Sequence, residues 1–591
     1  MRAIRVKQPI SYDTETTGLK RWGRDYMFTY STCDWDWNTD VHRFDEGPKA
    51  RILLERIWSD ENKDLPKIMQ NARFDIGMTE KLLGRSLRGH EIHETMALAH
   101  ILYNQHPGHG LDSLAFDFFG YPKDQDAELV PYLASEYAYR DVPPEILDPY
   151  QRADAERTML LFQGFRPKVT AGGWDEIYEM ERELVWTTND ICRRGVMLDR
   201  RKAAKLVDWC HAEAAKALAE YRAITGLPTS SPSKDAELSH VLFERMGFRA
   251  GKRTKSGKRL STDKHVLQDL REQTGHPIFE AIMKYRSYSK GVSAILGYVE
   301  HADEDGVLHP NINPYGTDTS RESCSNPNLQ NVEKEGVLLN PYSVPARRCF
   351  RPRPGFVNFH VDYKGIQAGI FTGRSGDEEF MKILRAGGDM HDAAAVEFYG
   401  EIYTGETDKA CKKTLRNAAK NGNFLTAFGG GLPKLARTLG LTVADAAPGH
   451  ARYKARFRGL AELNRRDSAF VREHGYVLTS FGRKLSLSRS KPYMGTVYAV
   501  QGDEAGIAKR AQNRVNDYLM KATSDEAGII LPIHDEIVIQ WPRKRLSDAK
   551  PILREVCALM VDFPQINVPL TVDIKVSTMD WAHKEDYSLD G

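Results

Sequence analysis

Two apolar runs near the carboxyl-terminal end of the chain predict a β-hairpin. GIILPI at residues 528–533 and IVIQW at residues 537–541 each have the length and the branched side chains of a buried strand. The polar tripeptide His-Asp-Glu at residues 534–536 separates them. We therefore expect a tight turn at a sheet edge that projects two carboxylates into a cleft.

A third apolar run predicts a strand that reaches the same place. FVNFHVDY at residues 356–363 contains Asp362 near its end. Carboxylates from two strands that meet, here Asp362 and Asp535, can hold a pair of divalent cations and support phosphoryl transfer. The hydrophobic pattern therefore predicts a two-metal site on a sheet.

A helical pattern covers KACKKTLRNAAKNGNFLTAFGG at residues 409–430, which contains no proline. One face of the predicted helix carries four residues spaced four apart, namely Arg416, Lys420, Phe424 and Phe428. Cations at one end and aromatic rings at the other suit a nucleotide, with the triphosphate on the cations and the sugar and base on the rings. The alternative is an amphipathic helix whose aromatic stripe packs into a core.

Acidic residues near the amino-terminal end form a second group. Asp13 and Glu15 are two apart on a predicted strand and therefore share one face. The segment NARFD supplies Asp75, and Tyr150 and Asp154 lie four apart on a predicted helix. Clustered carboxylates repel one another unless a cation neutralises them. The alternative is a set of unrelated surface acids.

Between these regions, residues 172–310 predict mostly helix. Within them, residues 249–259 hold six basic side chains, no acid and two glycines. This composition predicts a flexible loop that binds the phosphate backbone of a nucleic acid, with Lys252 and Arg253 as candidate contacts. A solvated surface loop is the alternative.

Composition narrows the class of protein. The chain has 591 residues, of which 41% are hydrophobic and 28% charged, so we expect two or more globular domains. Seven cysteines without a Cys-x-x-Cys pair argue against a zinc site or a disulfide framework, and a net charge of +2 says little about nucleic acid. With no apolar run of membrane length and no signal peptide, the expected location is the cytoplasm.

Together these motifs resemble the polymerase domain of the bacterial DNA polymerase I family, also called family A, preceded by a DEDD-type 3′→5′ exonuclease domain. The resemblance implies a multidomain α/β plus α+β protein. It implies an RNase H-like exonuclease domain followed by a right-hand polymerase with a thumb, a palm built on an antiparallel sheet, and helical fingers. The implied limits are 1–172 for the exonuclease domain, 173–310 for the thumb with its linker, 311–372 and 496–591 for the palm, and 373–495 for the fingers.

The resemblance also implies the roles of the acids. In the exonuclease domain, Tyr150 orients the attacking water, and the residues that hold two divalent metals are Asp13, Glu15, Asp75 and Asp154. In the polymerase domain, Glu536 supports the catalytic site, and the metals are held by Asp362, Asp535 and the backbone carbonyl of Tyr363. The implied cofactors are two Mg²⁺ or Mn²⁺ ions per active site, and the substrates are dNTPs.

Substrate contacts follow from the same resemblance. Lys420 is a candidate proton donor to the departing pyrophosphate, and the nucleotide is bound by Arg416, Lys420, Phe424, Phe428, Gln367, His391 and Tyr363. Arg321 and Gln501 would contact the minor groove, where hydrogen-bond acceptors lie in similar places on every correct base pair. His534 would contact the primer 3′ nucleotide, and Arg483 and Lys484 the template strand.

Two positions depart from the family pattern. The family usually has Glu five residues after Asp362, where this chain has Gln367, and Tyr where it has Phe428. Losing both together avoids leaving one buried polar group without its partner, which would cost about 1–3 kcal/mol. We hypothesise a coupled, apolar sugar-side pocket in which the bulk of Gln367 still excludes ribonucleotides; independent drift is the alternative. Altered residues at 364–369 leave a preference for a modified base open.

These implications describe a template-directed DNA polymerase with proofreading. The expected layout lacks the 5′-nuclease domain of bacterial repair enzymes and looks like that of a phage replicative polymerase. Primer-template DNA is the expected partner of a monomer, together with replisome factors such as a helicase-primase, a single-strand binding protein or a processivity factor. The alternatives are a single-subunit RNA polymerase, a nuclease with an inactive polymerase body, and a non-catalytic DNA-binding scaffold.

Overall fold

The computed structural model describes residues 8–122, 129–132, 139–249, 251–254, 257, 259–335 and 341–590. In these ranges no helix combines the length and the apolar character that a membrane span requires. Part of the basic loop predicted at 249–259 lies outside the described residues, namely positions 250, 255, 256 and 258.

The amino-terminal region is built on a five-stranded sheet with the order β3-β2-β1-β4-β5, in which β1 is antiparallel to β2 and parallel to β4. Its strands are β1 (Ile10–Thr16), β2 (Met27–Asp34), β3 (Thr39–Arg43), β4 (Lys67–Met69) and β5 (Ile92–Glu94). Its helices are α1 (Pro48–Ile57), α2 (Ala72–Leu83), α3 (Thr95–Leu102), α4 (Leu111–Phe119) and α5 (Pro144–Ala171). Strand β1 is central and buried on both faces, because helices cover each side of the sheet.

A buried helix, α6 (Asp175–Arg194), joins this region to the rest of the chain. Gly195 ends it at a φ of +61°, where an added Cβ would lie 2.5 Å from the carbonyl oxygen of Leu308. Next, a helix over residues 200–225 packs on a helix over residues 277–301 to form a long helical hairpin. The elements here are β6 (Val196–Met197), α7 (Arg200–Thr225), α8 (Asp235–Ser239), a π-helix (His240–Arg245), α9 (Lys264–Thr274), α10 (Pro277–His301) and β7 (Val307–Leu308).

The carboxyl-terminal region is built on an antiparallel sheet with the order β13-β14-β10-β15-β16. Its strands are β10 (Phe356–Tyr363), β13 (Gly528–Ile533), β14 (Glu536–Pro542), β15 (Val572–Ser577) and β16 (Glu585–Asp586). Two further ladders pair β8 (Asn311–Asn313) with β9 (Ser323–Ser325) and β11 (Tyr476–Leu478) with β12 (Lys484–Ser486). The predicted strands at 356–363 and 528–533 are confirmed in full, and the strand predicted at 537–541 is one residue longer at each end.

The helices between β10 and β13 form a helical lobe and one long core helix. They are α11 (Ile366–Ser375), α12 (Glu378–Arg385), α13 (Met390–Tyr399), α14 (Glu401–Thr404), α15 (Lys409–Ala427), α16 (Leu432–Leu439), α17 (Val443–Arg456), α18 (Arg458–His474) and α19 (Gly495–Thr523), and α20 (Ala549–Val561) follows β14. One hydrophobic core joins the sheet to this lobe. The predicted helix over 409–430 is confirmed and ends at Ala427.

Candidate active sites

The first acidic site lies on the amino-terminal sheet. Carboxylate oxygens of Asp13 and Glu15 on β1 and of Asp154 on α5 all lie within 4.8 Å of one another. Within the described ranges, this is the one group of three or more His, Cys, Asp or Glu side chains that approach so closely. The alternation of β1 places the first two acids on one face, and α5 crosses that face with the third.

Burial and mutual repulsion raise the pKa of the acids in this site. Burial is the larger cause for Asp13 and Glu15, whose pKa values lie well above the usual range, and the neighbouring carboxylates add to it. Burial also raises the pKa of Asp154 to about 7, although Arg157 opposes the shift. Crowded carboxylate oxygens fit hard divalent cations such as Mg²⁺ or Mn²⁺, whose charge favours the ionised acids.

Asp75 lies beside these acids in the first turn of α2. Its Oδ1 accepts hydrogen bonds from the backbone N–H of Thr14 at 3.1 Å and from the Thr14 hydroxyl at 2.7 Å. Glu94 fixes the start of α2 by accepting a hydrogen bond from the backbone N–H of Asn71 at 2.9 Å. Burial raises the pKa of Asp75 to about 7, and its charge acts on Asp13. Asp75 is therefore near the other three acids, with one oxygen held by Thr14.

Two tyrosines line the same site. Tyr150 lies one turn before Asp154 on α5 and acts to lower the pKa of Asp154. Tyr139 acts in the same way on the pKa of Glu15. Sequence analysis missed Tyr139, because no spacing connects it to the acids. It also missed Arg157, whose Nη1 donates to Asp154 at 2.8 Å. The position of Arg157 three residues after an acid on a helix is a signal that could have found it.

The second acidic site lies at one end of the carboxyl-terminal sheet, where β13 and β14 form the predicted hairpin. Ile533 pairs with Glu536, so the turn consists of His534 and Asp535. His534 has a φ of +58°, a left-handed conformation that is unusual for a non-glycine residue and common in two-residue hairpin turns. The expectation of a sheet edge is wrong for Glu536, because β14 lies between β13 and β10.

Asp362 lies next to this turn. It is directly opposite Glu536 in the antiparallel ladder of β10 and β14, and the backbone N–H of Tyr363 donates to the carbonyl oxygen of Asp535 at 3.1 Å. Burial raises the pKa of Asp362 to about 7, with further contributions from the charges of Asp535 and Glu536. The two aspartates predicted from separate strands are thus neighbours. The ring of Tyr363 is buried, and its hydroxyl donates to the carbonyl of Met560.

Glu536 is held by two partners that sequence analysis missed. Its Oε1 is 2.5 Å from Nδ1 of His360 and accepts a hydrogen bond from Nζ of Lys584 at 2.6 Å. Although burial opposes the shift, these contacts lower the pKa of Glu536 to about 2. An ionised, paired carboxylate suits the supporting role expected for Glu536. Lys584 also acts to lower the pKa of Asp362.

Helix α15 comes near these acids at Lys420. Lys420 is exposed and acts to lower the pKa of Asp535, which burial raises. Phe424 and Phe428 are half-buried, with ring centroids 6.4 Å apart and nearly parallel rings. Phe428 lies directly after the last helical residue.

Arg416 is engaged by two acids that sequence analysis did not anticipate. Its guanidinium binds Asp389, with Nε 3.1 Å from Oδ2, and lies 3.5 Å from Asp392. His391 lies between these acids in the chain and is buried, which lowers its pKa to about 4. In the free protein His391 is therefore uncharged at neutral pH.

Gln367 has a charged partner. Its Nε2 donates to Oε2 of Glu504 on α19 at 3.0 Å, and the guanidinium of Arg321 binds the same oxygen. Phe428 instead packs edge-on against Phe371, with ring centroids 4.8 Å apart. The hypothesis of an apolar sugar-side pocket is therefore wrong on the side of Gln367, because a carboxylate from another helix replaces the missing partner.

The prediction that Arg483 contacts the template strand is contradicted. Arg483 is only 4% exposed, and its guanidinium binds the carboxylate of Glu181 on α6 and lies 2.8 Å from Nδ1 of His100 on α3. A buried acid therefore holds this cation at the junction between the two sheets. The neighbouring Lys484 is half-buried, with its ammonium 4.8 Å from the ring centroid of Tyr476.

The other candidate DNA contacts lie on accessible surfaces. Lys252 and Arg253 are exposed. Lys252 forms an ion pair with Asp263 at 2.5 Å, and Arg253 donates to the carbonyl of Gly257 at 3.1 Å. Gln501 is half-buried on α19, one turn before the glutamate that binds Arg321.

Comparison with known families gives two matches. The family model described as DNA polymerase family A matches residues 202–583. The family model described as 3′-5′ exonuclease matches residues 1–170. The first match includes the hairpin acids and α15, and the second includes the cluster formed by Asp13, Glu15 and Asp154.

Individual relatives agree with these matches. DNA polymerase I of Rhizobium leguminosarum is 26% identical to this chain, over 91% of this chain and 52% of its own length. The thermostable DNA polymerase I of Thermus filiformis is 30% identical, over 73% of this chain and 52% of its own length. This chain thus spans about half the length of these relatives. The DNA polymerase of Mycobacterium phage D29 is 24% identical over 94% of this chain and 90% of its own length.

A solved structure shows the same fold. The POL domain of Pol1 from M. smegmatis, in complex with a DNA primer-template and dNTP, superposes with a TM-score of 0.81. The superposition covers 97% of this chain and 95% of that chain at 20% sequence identity.

Proposed function

Because the chain belongs to DNA polymerase family A, we propose that it is a template-directed DNA polymerase that extends a primer 3′ end with dNTPs and proofreads with a 3′→5′ exonuclease. The expected order of an exonuclease region followed by a polymerase region is confirmed by the matches over residues 1–170 and 202–583.

One observation carries the polymerase assignment. Asp362 and Asp535, which are 173 positions apart in the chain, meet at one end of an antiparallel sheet beside Lys420 of α15. An acidic site faced by a helix with cations and stacked rings combines the two things that nucleotidyl transfer needs, a place for metal-bound phosphates and a surface for the nucleotide.

Each residue of the polymerase site has a proposed role. Asp362, Asp535 and the backbone carbonyl of Tyr363 would hold two Mg²⁺ or Mn²⁺ ions, which when bound activate the primer hydroxyl and neutralise phosphate charge. Arg416 and Lys420 bind the triphosphate, and Lys420 protonates the leaving pyrophosphate. Phe424, Phe428 and Gln367 contact the base and sugar, with His391 as a donor to a phosphate. Glu536, held by His360 and Lys584, keeps the hairpin in place.

The exonuclease site supports hydrolysis of a primer 3′ end. Asp13, Glu15 and Asp154, with Asp75 beside them, would hold a second pair of divalent ions, which when bound supply an activated water. Tyr150 lies one turn before Asp154 on α5 and would orient that water. Tyr139 lies beside the same site and acts to lower the pKa of Glu15.

The remaining assignments follow from this proposal. The exonuclease domain would cover 1–172, the thumb 173–310, the palm 311–372 and 496–591, and the fingers 373–495. DNA would be contacted by Arg321, Gln501, His534, Lys484, Lys252 and Arg253. The relative from Mycobacterium phage D29, which this chain matches over nearly its full length, supports a role in phage genome replication in the host cytoplasm. We propose that the protein acts as a monomer together with replisome factors.

Primer extension tests the polymerase assignment. The protein is mixed with a primer-template and either dNTPs or NTPs, with and without Mg²⁺. We expect extension with dNTPs that requires Mg²⁺ and is lost in Asp362→Asn. Extension by NTPs in preference to dNTPs would point to an RNA polymerase. Degradation of the primer without any extension would point to a nuclease with an inactive polymerase body.

A further inference from the structure

Glu504 is a buried carboxylate to which the proposed function gives no role. Its side chain is 5% exposed and lies on α19, one turn after Gln501. The same carboxylate oxygen binds Nε2 of Gln367 at 3.0 Å and the guanidinium of Arg321. These partners come from two other segments, the start of α11 and the loop before β9, so Glu504 joins three parts of the polymerase site.

The charge balance explains why this carboxylate is tolerated in the interior. A buried carboxylate requires a cationic partner or several hydrogen bonds. Arg321 supplies the cation and Gln367 a second hydrogen bond. Arg321 is itself held by its own loop, because its backbone N–H donates to the Thr317 hydroxyl at 3.0 Å. The acid therefore has a firmly positioned cation on one side and an uncharged amide on the other.

Glu504 also fixes which way the amide of Gln367 points. An ionised carboxylate accepts hydrogen bonds and donates none, so the amide nitrogen must face Glu504 and the amide oxygen must face away. An amide without this partner could rotate by 180° or adopt another side-chain rotamer.

We infer that Glu504 is a positioning residue that locks Gln367 in one orientation, and that this lock sets the discrimination between deoxyribose and ribose. This inference rests on the proposed polymerase function, in which Gln367 lies on the sugar side of the incoming nucleotide. A fixed side chain excludes an extra hydroxyl by its shape, whereas a mobile one can move aside. The carboxylate that locks the side chain therefore acts on sugar selection without touching the substrate.

The test compares incorporation of one dNTP and of the matching NTP by the full chain in single-nucleotide primer extension. The variants are Glu504→Ala, Glu504→Gln, Gln367→Ala and the double variant Glu504→Ala with Gln367→Ala. Asp517→Asn is the matched control, because it removes one acid from the same helix at an ion pair with Arg88. For each protein, kcat and KM are measured separately, together with the thermal unfolding temperature.

We expect Glu504→Ala to lower the ratio of dNTP to NTP efficiency roughly tenfold, the scale of one lost hydrogen bond to a charged group. The change should come from a gain in the use of the NTP relative to the dNTP, because the release of Arg321 from Glu504 affects both nucleotides alike. Glu504→Gln keeps the size and one acceptor oxygen, so we expect a smaller change in the same direction. The double variant should have the same ratio of dNTP to NTP efficiency as Gln367→Ala alone, because Glu504 then has no amide side chain to position. Asp517→Asn should leave this ratio unchanged.

Three outcomes overturn the inference. An unchanged ratio in both Glu504 variants removes the role in sugar selection, and a loss of efficiency that is equal for dNTP and NTP then indicates a purely structural residue. A further fall in the ratio when Glu504→Ala is added to Gln367→Ala means that Glu504 does not act through Gln367. A wild-type chain that extends no primer with dNTPs contradicts the proposed function itself, and the inference falls with it. If Glu504→Ala does not fold, Glu504→Gln gives the result.

Discussion

The two acidic sites of this chain differ in how completely the protein assembles them. In the amino-terminal site, Asp13, Glu15 and Asp154 already hold their oxygens within 4.8 Å of one another. In the carboxyl-terminal site, Asp362 and Asp535 are neighbours, but Glu536 is engaged by His360 and Lys584. The first site presents three close carboxylates, whereas the second presents two with cationic side chains around them.

Under the proposed function, this difference has a physical reason. A hydrolytic site that acts on any 3′ end gains from ligands fixed in advance by one sheet and one helix. A synthetic site receives additional oxygen ligands from the triphosphate, so fewer protein carboxylates are needed and nearby lysines lower the repulsion between them. We therefore expect the first site to bind metal by itself and the second to be completed by its substrates.

Separation of the two activities is the largest expected effect. Asp362→Ala should lower dNTP incorporation at least about 10³-fold and leave primer degradation unchanged, and Asp13→Ala should do the reverse, because each acid serves a different metal site. Extension and degradation of one labelled primer-template measure both reactions in one tube. Loss of both activities from either single substitution would break the comparison, since it would mean that the sites do not act independently.

The contact between the two regions gives the next largest effect. Glu181 on α6 is fully buried and binds Arg483 and Lys509, with Lys509 Nζ 2.7 Å from its Oε1. Burial alone would raise the pKa of Glu181, but Lys509 and Arg483 outweigh it and the pKa is lowered. A lowered folded-state pKa contributes stability above the usual glutamate pKa, and that stability is lost as the pH falls through the folded-state value.

We expect Glu181→Gln to lower the free energy of unfolding by about 3–5 kcal/mol near pH 7, because it leaves two buried cations unpaired. The difference from the wild type should shrink as the pH falls below about 4, the usual range for glutamate. Denaturant unfolding at several pH values measures it, with the half-exposed Glu179→Gln as the control. A difference that stays the same down to pH 3 would contradict an ionised Glu181.

These residues also show where sequence analysis succeeds and where it stops. The strands at 356–363 and 528–533 and the helix at 409–427 follow from local hydrophobic patterns, so they were predictable. The partner of Arg483 lies 302 positions away and the partner of Gln367 lies 137 positions away. Such pairs depend on how distant segments of the chain pack together. Neither the periodicity of apolar residues nor the spacing of motifs predicts this packing. The family pattern gave the positions of these residues but not the acids that hold them.

Nucleotide binding on α15 tests whether the substrate completes the second site. In the structure Asp389 and Asp392 engage Arg416, so a triphosphate must compete with them for the guanidinium. We expect Arg416→Ala to raise KM for dNTP about 10–100-fold, the scale of one or two charge-assisted hydrogen bonds. The exposed Lys413→Ala on the same helix is the control. An unchanged KM would remove Arg416 from the nucleotide site.

The smallest expected effect concerns the exposed basic loop. Each of Lys252→Ala and Arg253→Ala should weaken primer-template binding modestly and reduce the slope of log Kd against log salt by about 1, because each removes one phosphate contact. Fluorescence anisotropy at several salt concentrations measures this slope. Equal slopes for the wild type and both variants would assign the loop to solvent and limit DNA binding to the remaining candidate contacts.

Metal binding distinguishes the two sites most directly. Crystals grown with Mn²⁺, first without nucleic acid and then with a dNTP and a primer-template whose primer lacks a 3′-hydroxyl, locate the ions by anomalous diffraction. We predict a peak beside Asp13, Glu15 and Asp154 in both crystals, and peaks between Asp362 and Asp535 only in the substrate complex. A substrate complex with no Mn²⁺ beside Asp362 and Asp535 would contradict the proposed polymerase chemistry.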